Sequence, residues 1–342
     1  MRHLKNVQQQ IIRKFFMLFG SLKNNAPEKI INIRFYTNFN ICNYSCPYCI
    51  AGQNDKQNMT TRWDSANLDQ IIQNLTYLPY KINVRIGVKG EFFLSKKLTE
   101  GARLLSLADN VHSVNLITNL SFSYKQYENF LHGFDHSKTS IVASYHPSEI
   151  KDKEKWIQVA CHIKKRYDFA VVLVGYPPFI KDLLKIKKEL TGYGIEVFVQ
   201  GFIGNYNGRE YPGAYTVEEK KLLRKVFYSR HDYEFFAESK KPGLCNAGYR
   251  SFYVDMTGMV RPCGMGALSP VIGNLLSNPE IKPWDGPRPC MYDACLCDTE
   301  NINTVIFEQH YRQTGINQHK YIYRFKNEAE KFPQMDEWKI NY

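Results

Sequence analysis

From about residue 30 to about residue 205 the chain alternates between two hydrophobic rhythms. Short runs rich in β-branched and apolar residues read as strands: Ile30–Tyr36, Ile82–Val88, Ser113–Thr118, Ser140–Tyr145, Ala170–Gly175 and Glu196–Phe202. Between them, apolar residues recur at helical spacing over Asp64–Leu75, Ser95–Asp109, Tyr124–His132, Glu149–Tyr167 and Ile180–Leu190. Several of the strands look apolar on both faces, as buried parallel strands do. Repeated βα units of this kind predict a parallel α/β architecture, either an open sheet or a partial barrel. In both, ligands bind at the C-terminal ends of the strands.

The rhythm changes at both flanks. Residues 1–28 predict a basic amphipathic helix, with Ile11, Ile12, Phe15, Phe16 and Phe19 on one face among Arg2, Lys5, Arg13, Lys14 and Lys23. Such a helix either docks on the main body or lies on a membrane surface, giving peripheral membrane contact. The main body is expected over 29–215, and residues 216–240 read as a charged linker helix. Ser251–Asp255, the turn Met256-Thr257-Gly258 and Met259–Arg261 predict a hairpin inside a small loop-rich domain, 241–300, before a polar tail over 301–342.

Composition narrows the class. With 342 residues, 44% of them hydrophobic and 23% charged, the chain is globular rather than disordered. The net charge of +12 suits an anionic partner, whether nucleic acid, phosphorylated substrate, acidic peptide or membrane surface, without choosing among them. No apolar run approaches the ~20 residues that span a bilayer. The stretch Ile11–Phe19 is interrupted by Arg13-Lys14 and no small-residue cleavage site follows, so no export signal is read and a cytoplasmic, reducing location is expected. There, clustered cysteines point to metal. Of nine cysteines, three lie within Cys42–Cys49 and five within Cys245–Cys297; Cys161 stands alone, as a packing residue of its helix.

Cys42-Asn-Tyr-Ser-Cys46-Pro-Tyr-Cys49 gives the spacing C-x3-C-x2-C directly after the first predicted strand. Three thiolates on one short loop can each bind one iron of a [4Fe–4S] cube and leave the fourth iron open. A structural zinc site would need a fourth protein ligand, and no nearby histidine supplies one. At this point the chain resembles the radical S-adenosylmethionine (SAM) superfamily, whose signature is this spacing with an aromatic residue, here Tyr48, before the last cysteine. The resemblance implies a partial (β/α)6 barrel of TIM type. It also implies SAM chelated to the open iron and cleaved to methionine and a 5′-deoxyadenosyl radical that takes a hydrogen atom from substrate. An electron donor such as flavodoxin or ferredoxin is implied with it.

Weaker correspondences follow the same resemblance. Gly90 and Glu91 match part of the family's Gly-Gly-Glu-Pro motif, which binds the SAM amino group, whereas Lys89 and Phe92 depart from it. Thr118 and Asn119 end the third strand as a Thr-Asn pair of the family does; Ser144 and Gln200 are further pocket candidates. Each also has a plain reading as a turn or strand-end cap. His146 is an acid–base candidate beside the fourth strand, and Tyr145 and Tyr176 are candidate pocket aromatics.

The late cysteines give C-x12-G-x4-C from Cys245 through Gly258 to Cys263, then Gly273-Asn274, then Cys290, Cys295 and Cys297. A hairpin with a glycine turn sets two distant thiolates side by side. This stretch resembles the SPASM and shorter twitch extensions of radical SAM enzymes, which bind auxiliary [4Fe–4S] clusters. Five cysteines fall short of two fully cysteine-ligated cubes, so one auxiliary cluster is expected, held by Cys245, Cys263 and two of Cys290, Cys295 and Cys297; a zinc knuckle is the plain alternative.

These readings predict an enzyme that modifies a non-activated C–H bond with auxiliary-cluster participation, by dehydrogenation or epimerisation. The 41 residues before Cys42 are too few for the winged-helix peptide-binding domain of many peptide maturases, which tilts the substrate toward a carbohydrate-like or other small molecule. A peptide or protein substrate is the first alternative. A non-catalytic metal-binding module with an RNA-binding surface is the second, although no RNA-binding appendage or basic-aromatic cluster is found.

Overall fold

The computed structural model of the protein describes residues 30–49, 51–52, 63–227, 233–234, 237, 244–264 and 269–290. The expected N-terminal helix over 1–28, the tail over 301–342, and Cys295 and Cys297 lie outside the described residues.

Six parallel strands form the centre: β1 (Ile30–Tyr36), β2 (Lys81–Gly87), β3 (Val111–Thr118), β4 (Thr139–Tyr145), β5 (Asp168–Gly175) and β6 (Glu196–Gly201). They lie side by side in chain order, each paired in parallel with the next. The crossovers carry α1 (Leu68–Leu75), α2 (Lys96–Leu107), α3 (Tyr124–Phe130), α4 (Lys153–Lys164) and α5 (Ile180–Gly192); α6 (Val217–Val226) follows β6. Their starts are written in the sequence. Ser95 and Asp152 accept from the Leu98 and Lys155 amides to cap α2 and α4, and Ser123/Gln126 and Thr216/Glu219 form capping boxes. The expected helix at Glu149–Tyr167 therefore begins only at Lys153, after its Asp152 cap. Within the predicted linker helix, α6 covers Val217–Val226 and Phe227 turns to extended backbone, with helical residues again at 233–234 and 237.

The two faces of the sheet differ. Ile31, Ile33, Phe35, Ile82, Val84, Ile86, Val114, Leu116, Ile141 and Val171 point to the helical side and are fully buried with Leu68, Ile71, Ala102, Leu105 and Tyr127 of the helices. Each such side chain contributes about 1.5–3 kcal/mol on burial. On the other face β1–β3 are not apolar, contrary to the two-sided reading. Asn83 donates to Asn32 at 2.9 Å, Ser113 donates to Asn83 at 2.6 Å, and Asn115 donates to Ser140 at 3.0 Å. Farther along this face, on β4–β6, the lining turns apolar, with Val142, Ala170 and Phe198 forming a small separate cluster. A polar ladder inside buried parallel strands is the mark of a lined interior, which favours the partial-barrel form of the expected α/β architecture over a plain open sheet.

The predicted hairpin does not stand apart. Strand β10 (Ser251–Asp255) adds to the edge of the sheet in parallel with β1, Asn32 facing Ser251 and Tyr36 facing Asp255. Strands β11 (Met259–Arg261) and β12 (Gly273–Asn274) continue it antiparallel, completing a nine-stranded sheet. Gly258 turns the hairpin at φ 77°, where a Cβ would fall 2.7 Å from the Leu276 side chain. Two small ladders lie outside the main sheet: β7 (Gly204–Tyr206) with β8 (Arg209–Tyr211), and β9 (Leu244–Cys245) with β13 (Arg288–Pro289). Among the described residues no helix is long and apolar enough to cross a membrane.

Candidate active site

The chain leaves β1 at its C-terminal end and runs directly into the loop carrying Cys42, Cys46 and Cys49. The loop is fastened to the end of β2 through the backbone: the Lys89 and Gly90 amides both donate to the Phe39 carbonyl at 2.7 and 3.0 Å, and the Glu91 amide donates to the Ile41 carbonyl at 2.9 Å. This approach is what requires glycine at 90, because a Cβ there would overlap the Ile41 carbonyl and stand 2.8 Å from the Ile41 nitrogen. Within the loop the Cys49 amide donates to the Cys46 carbonyl at 3.1 Å. Amides of Tyr44 and Gly52 point at the Cys42 and Cys49 sulfurs, both at 3.5 Å.

Glu91 is the centre of a second fastening. Its carboxylate is 1% exposed. One oxygen accepts from the Phe93 amide at 3.2 Å and the Thr118 hydroxyl at 2.8 Å; the other accepts from the Asn119 amide at 2.7 Å. Burial pushes its carboxyl up to about 7, against the pull of those three donors. The Asn119 side chain then reaches back to the loop, donating to the Asn43 Oδ1 at 2.9 Å and lying 3.9 Å from the Cys42 sulfur. Asn43 in turn donates to the Ser121 hydroxyl at 2.8 Å. Leu120 is held at φ 57°, a conformation strained for a non-glycine residue, by the Thr118 hydroxyl that accepts from its amide.

The other flank of the loop is aromatic. Tyr48 is 5% exposed and its ring packs on Tyr176 at 4.8 Å and on His146 at 5.7 Å. The Tyr48 hydroxyl and His146 Nδ1 share a hydrogen bond of 3.0 Å. Burial lowers the imidazole to about 4, with Glu149 opposing, so it is neutral at ordinary pH. Glu149 accepts from the Ser45 amide at 3.1 Å, adding a tie that sequence reading did not single out.

The structure thus brings together Cys42, Cys46, Cys49, Tyr48, Gly90, Glu91, Thr118 and Asn119 at one end of the parallel strands. Ser144 and Gln200, the penultimate residues of β4 and β6, lie on the non-helical face, paired with Val172 and Val174. Asn43 was not predicted; a lone asparagine between cysteines carries no signal of its own.

The three thiols suit an iron–sulfur cluster by their own chemistry. Burial raises the Cys42 thiol, and burial with Glu149 and the other two cysteines pushes Cys46 up to about 12. Three half-buried sulfurs that repel one another as thiolates are a donor set completed by cationic iron. Among the described residues no three His, Cys, Asp or Glu side chains converge as on a single metal ion; a cube spreads its three thiolates over three irons. In the C-terminal part, Arg288 pairs with Cys245 and Pro289 with Leu244, so Cys290 follows directly on the short ladder that carries Cys245. Cys263 lies just past β11, its amide donating to the Ser269 hydroxyl at 3.2 Å.

No family model and no curated protein matches the sequence. Solved structures do match. The structure described as histidine-tagged anSMEcpe with bound AdoMet superposes with a TM-score of 0.51 and 16% identity, over 73% of this chain and 75% of that one. The chain shares the fold of that AdoMet-bound protein. BtrN in complex with AdoMet and 2-DOIA matches more loosely, with a TM-score of 0.42 and 14% identity over 73% of this chain and 80% of that one.

Proposed function

We propose that the protein is a radical SAM enzyme. The observation that carries this reading is the Cys42/Cys46/Cys49 loop at the C-terminal ends of the parallel strands, locked by Gly90, Glu91 and Asn119 into one assembly. Cys42, Cys46 and Cys49 would hold a [4Fe–4S] cluster, whose chemistry with bound SAM is one-electron cleavage to a hydrogen-abstracting 5′-deoxyadenosyl radical. The chain's own residues position and shield. Gly90 sets the distance between the loop and β2. Glu91 fixes the ends of β2 and β3, and retains lone-pair capacity toward an ammonium group such as that of SAM. Tyr48 and its aromatic neighbours keep water from one flank of the loop, and Ser144 and Gln200, on the non-helical face, would line the SAM pocket.

The finer reading is dehydrogenation or epimerisation of a small, carbohydrate-like molecule, with an auxiliary cluster on Cys245, Cys263 and two of the three later cysteines. Flavodoxin or ferredoxin would supply electrons in the cytoplasm. Modification of a peptide or protein is the alternative.

Anaerobic reconstitution with iron and sulfide, dithionite reduction and chromatography for 5′-deoxyadenosine test this reading. Wild type is expected to form 5′-deoxyadenosine, and the Cys42/Cys46/Cys49→Ala triple variant is expected to form none. A folded, iron-replete wild type that neither binds nor cleaves SAM would sink it.

A further inference from the structure

Strand β4 leads into a turn that grips the cysteine loop and whose carboxylate has so far been given no chemical role. Directly after Tyr145 the Glu149 and Ile150 amides both donate to the His146 carbonyl, at 3.0 and 3.1 Å, closing residues 146–150 into a tight turn at the C-terminal end of the strand. Its side chains meet the loop on both sides of Ser45. The His146 ring stands edge-on to Tyr44 at 5.9 Å and stacked on Tyr48 at 5.7 Å, and the Glu149 carboxylate accepts from the Ser45 amide at 3.1 Å. Ser45 immediately precedes Cys46. The turn is internally bonded, so the half-buried Glu149 is set against this edge of the loop by the backbone.

We propose that Glu149 is a positioning residue that lowers the reduction potential of the cluster held by Cys42, Cys46 and Cys49. It does so by laying a carboxylate along the Cys46 edge of the loop and by keeping the Ser45 amide off the sulfurs. The inference rests on the cluster of the radical SAM reading and adds to it a residue that sets how strongly reducing that cluster is. Reduction adds one electron, which a neighbouring negative charge opposes and amide donors to the sulfurs favour. Both actions of Glu149 therefore have the same sign. An electron held at lower potential is the stronger reductant, as one-electron cleavage of SAM demands.

Little nearby offsets that charge. His146, in the same turn, is neutral, since burial lowers its imidazole to about 4. Among the described residues no ion pair includes Glu149. Its field reaches the sulfur: after burial, Glu149 is the largest influence raising the Cys46 thiol, ahead of Cys49 and Cys42. Two other loop amides do point at sulfurs, Tyr44 at Cys42 and Gly52 at Cys49, both at 3.5 Å, whereas the Ser45 amide beside Cys46 is diverted to Glu149. Ser45 is exposed, so solvent keeps the effect moderate and sensitive to salt.

Redox titration of the iron-reconstituted full chain, followed by electron paramagnetic resonance, tests this. The signal of the Cys42/Cys46/Cys49→Ala triple variant is subtracted, so that only the cluster on those cysteines is read. Glu149→Gln keeps an acceptor for the Ser45 amide and drops the charge. At a fixed potential it is expected to raise the ratio of reduced to oxidised cluster about threefold, a shift of roughly 30 mV for a one-electron couple, with iron content near wild type. Glu149→Ala, which also releases the amide, should shift it further, and Glu149→Asp, which keeps the charge, should stay nearer wild type. High salt should shrink the difference between wild type and Glu149→Gln. Glu218→Gln, on the exposed first turn of α6, is expected to change nothing. A wild-type potential in Glu149→Gln, or an equal shift in Glu218→Gln, would overturn the proposal. So would loss of iron in Glu149→Gln, which would assign the residue to assembling the loop. A Glu149-dependent potential without SAM cleavage would remove the radical reading and leave the tuning standing; SAM cleavage with a Glu149-independent potential would remove the tuning alone.

Discussion

The two flanks of the cysteine loop are built from different physics. On the side of β1–β3 the loop is fastened by directional bonds: backbone to backbone at Gly90 and Glu91, then carboxylate to amide and hydroxyl at Glu91, then amide to amide between Asn119 and Asn43. On the side of β4–β6 it rests mainly on rings, with two hydrogen bonds beside them, Tyr48 with His146 and the Ser45 amide to Glu149. Tyr48 touches Tyr176 and Phe179; Tyr176 continues to Phe202 and Tyr206; and Tyr211 and Tyr215 complete the array. Directional bonds fix a position to a fraction of an ångström, because a displaced partner leaves a buried donor unsatisfied. Ring packing is less demanding of angle and tolerates rearrangement. The first flank is suited to setting where three thiolates stand, the second to sealing around whatever enters.

The comparison breaks most completely at Gly90. Gly90→Val would place its Cβ into the Ile41 backbone, within the loop that holds Cys42. Neither side can yield, since both are main chain bonded to one another. The expected outcome is loss of iron incorporation and of SAM cleavage, with the helices largely retained. Iron assay beside far-ultraviolet circular dichroism would check it, and a variant with wild-type iron content would contradict the fastening role given to this glycine.

Glu91 comes next. Its carboxyl is raised to about 7 from an ordinary 4.5, because burial outweighs three donors. The folded protein then holds a proton that the unfolded chain gives up between those values. Stability of the iron-free protein should therefore fall as pH rises from about 4.5 to about 7 and level off above, with this contribution fully present only at the acid end. Glu91→Gln should flatten that part of the profile, and Glu91→Ala should cost about 3 kcal/mol by stranding the Phe93, Thr118 and Asn119 donors. Urea unfolding across the pH range measures both. An unchanged slope in Glu91→Gln would assign the pH dependence to other groups.

How far the sequence discloses this architecture depends on whether the governing contact is local. Strand β1 has the bounds its apolar run predicts, and the cysteine spacing announces its chemistry, because both are written in consecutive residues. The helix starts at Ser123 and Thr216 are legible for the same reason. The addition of β10 to β1 is not, since Asn32 and Ser251 meet only through the fold. Nor is the burial of Glu91: a Gly-Glu pair reads as an exposed turn until β3 is brought beside it. The lined interior did leave a trace, in the polar residues Asn32, Arg34, Asn83, Arg85, Ser113 and Asn115 at alternate positions of otherwise apolar strands. That alternation indicates two unlike faces, though not which of them the helices cover.

On the aromatic flank the smallest change is Tyr48→Phe, which removes the hydroxyl shared with His146 and keeps every ring contact. The bond is neutral, because burial holds the imidazole near 4. Its loss should cost about 1 kcal/mol, well below the cost of stranding the donors around Glu91. Tyr48→Leu, which also forfeits the packing on Tyr176 and Phe179, should cost more. Urea unfolding of the two variants separates hydroxyl from ring. Iron content is expected to stay close to wild type in Tyr48→Phe, since the ring packing of Tyr48 and the Ser45–Glu149 hydrogen bond both remain to hold this flank of the loop. If instead Tyr48→Phe lost iron as Gly90→Val does, the two flanks would position the loop alike, and the division into a fastened side and a sealing side would fail.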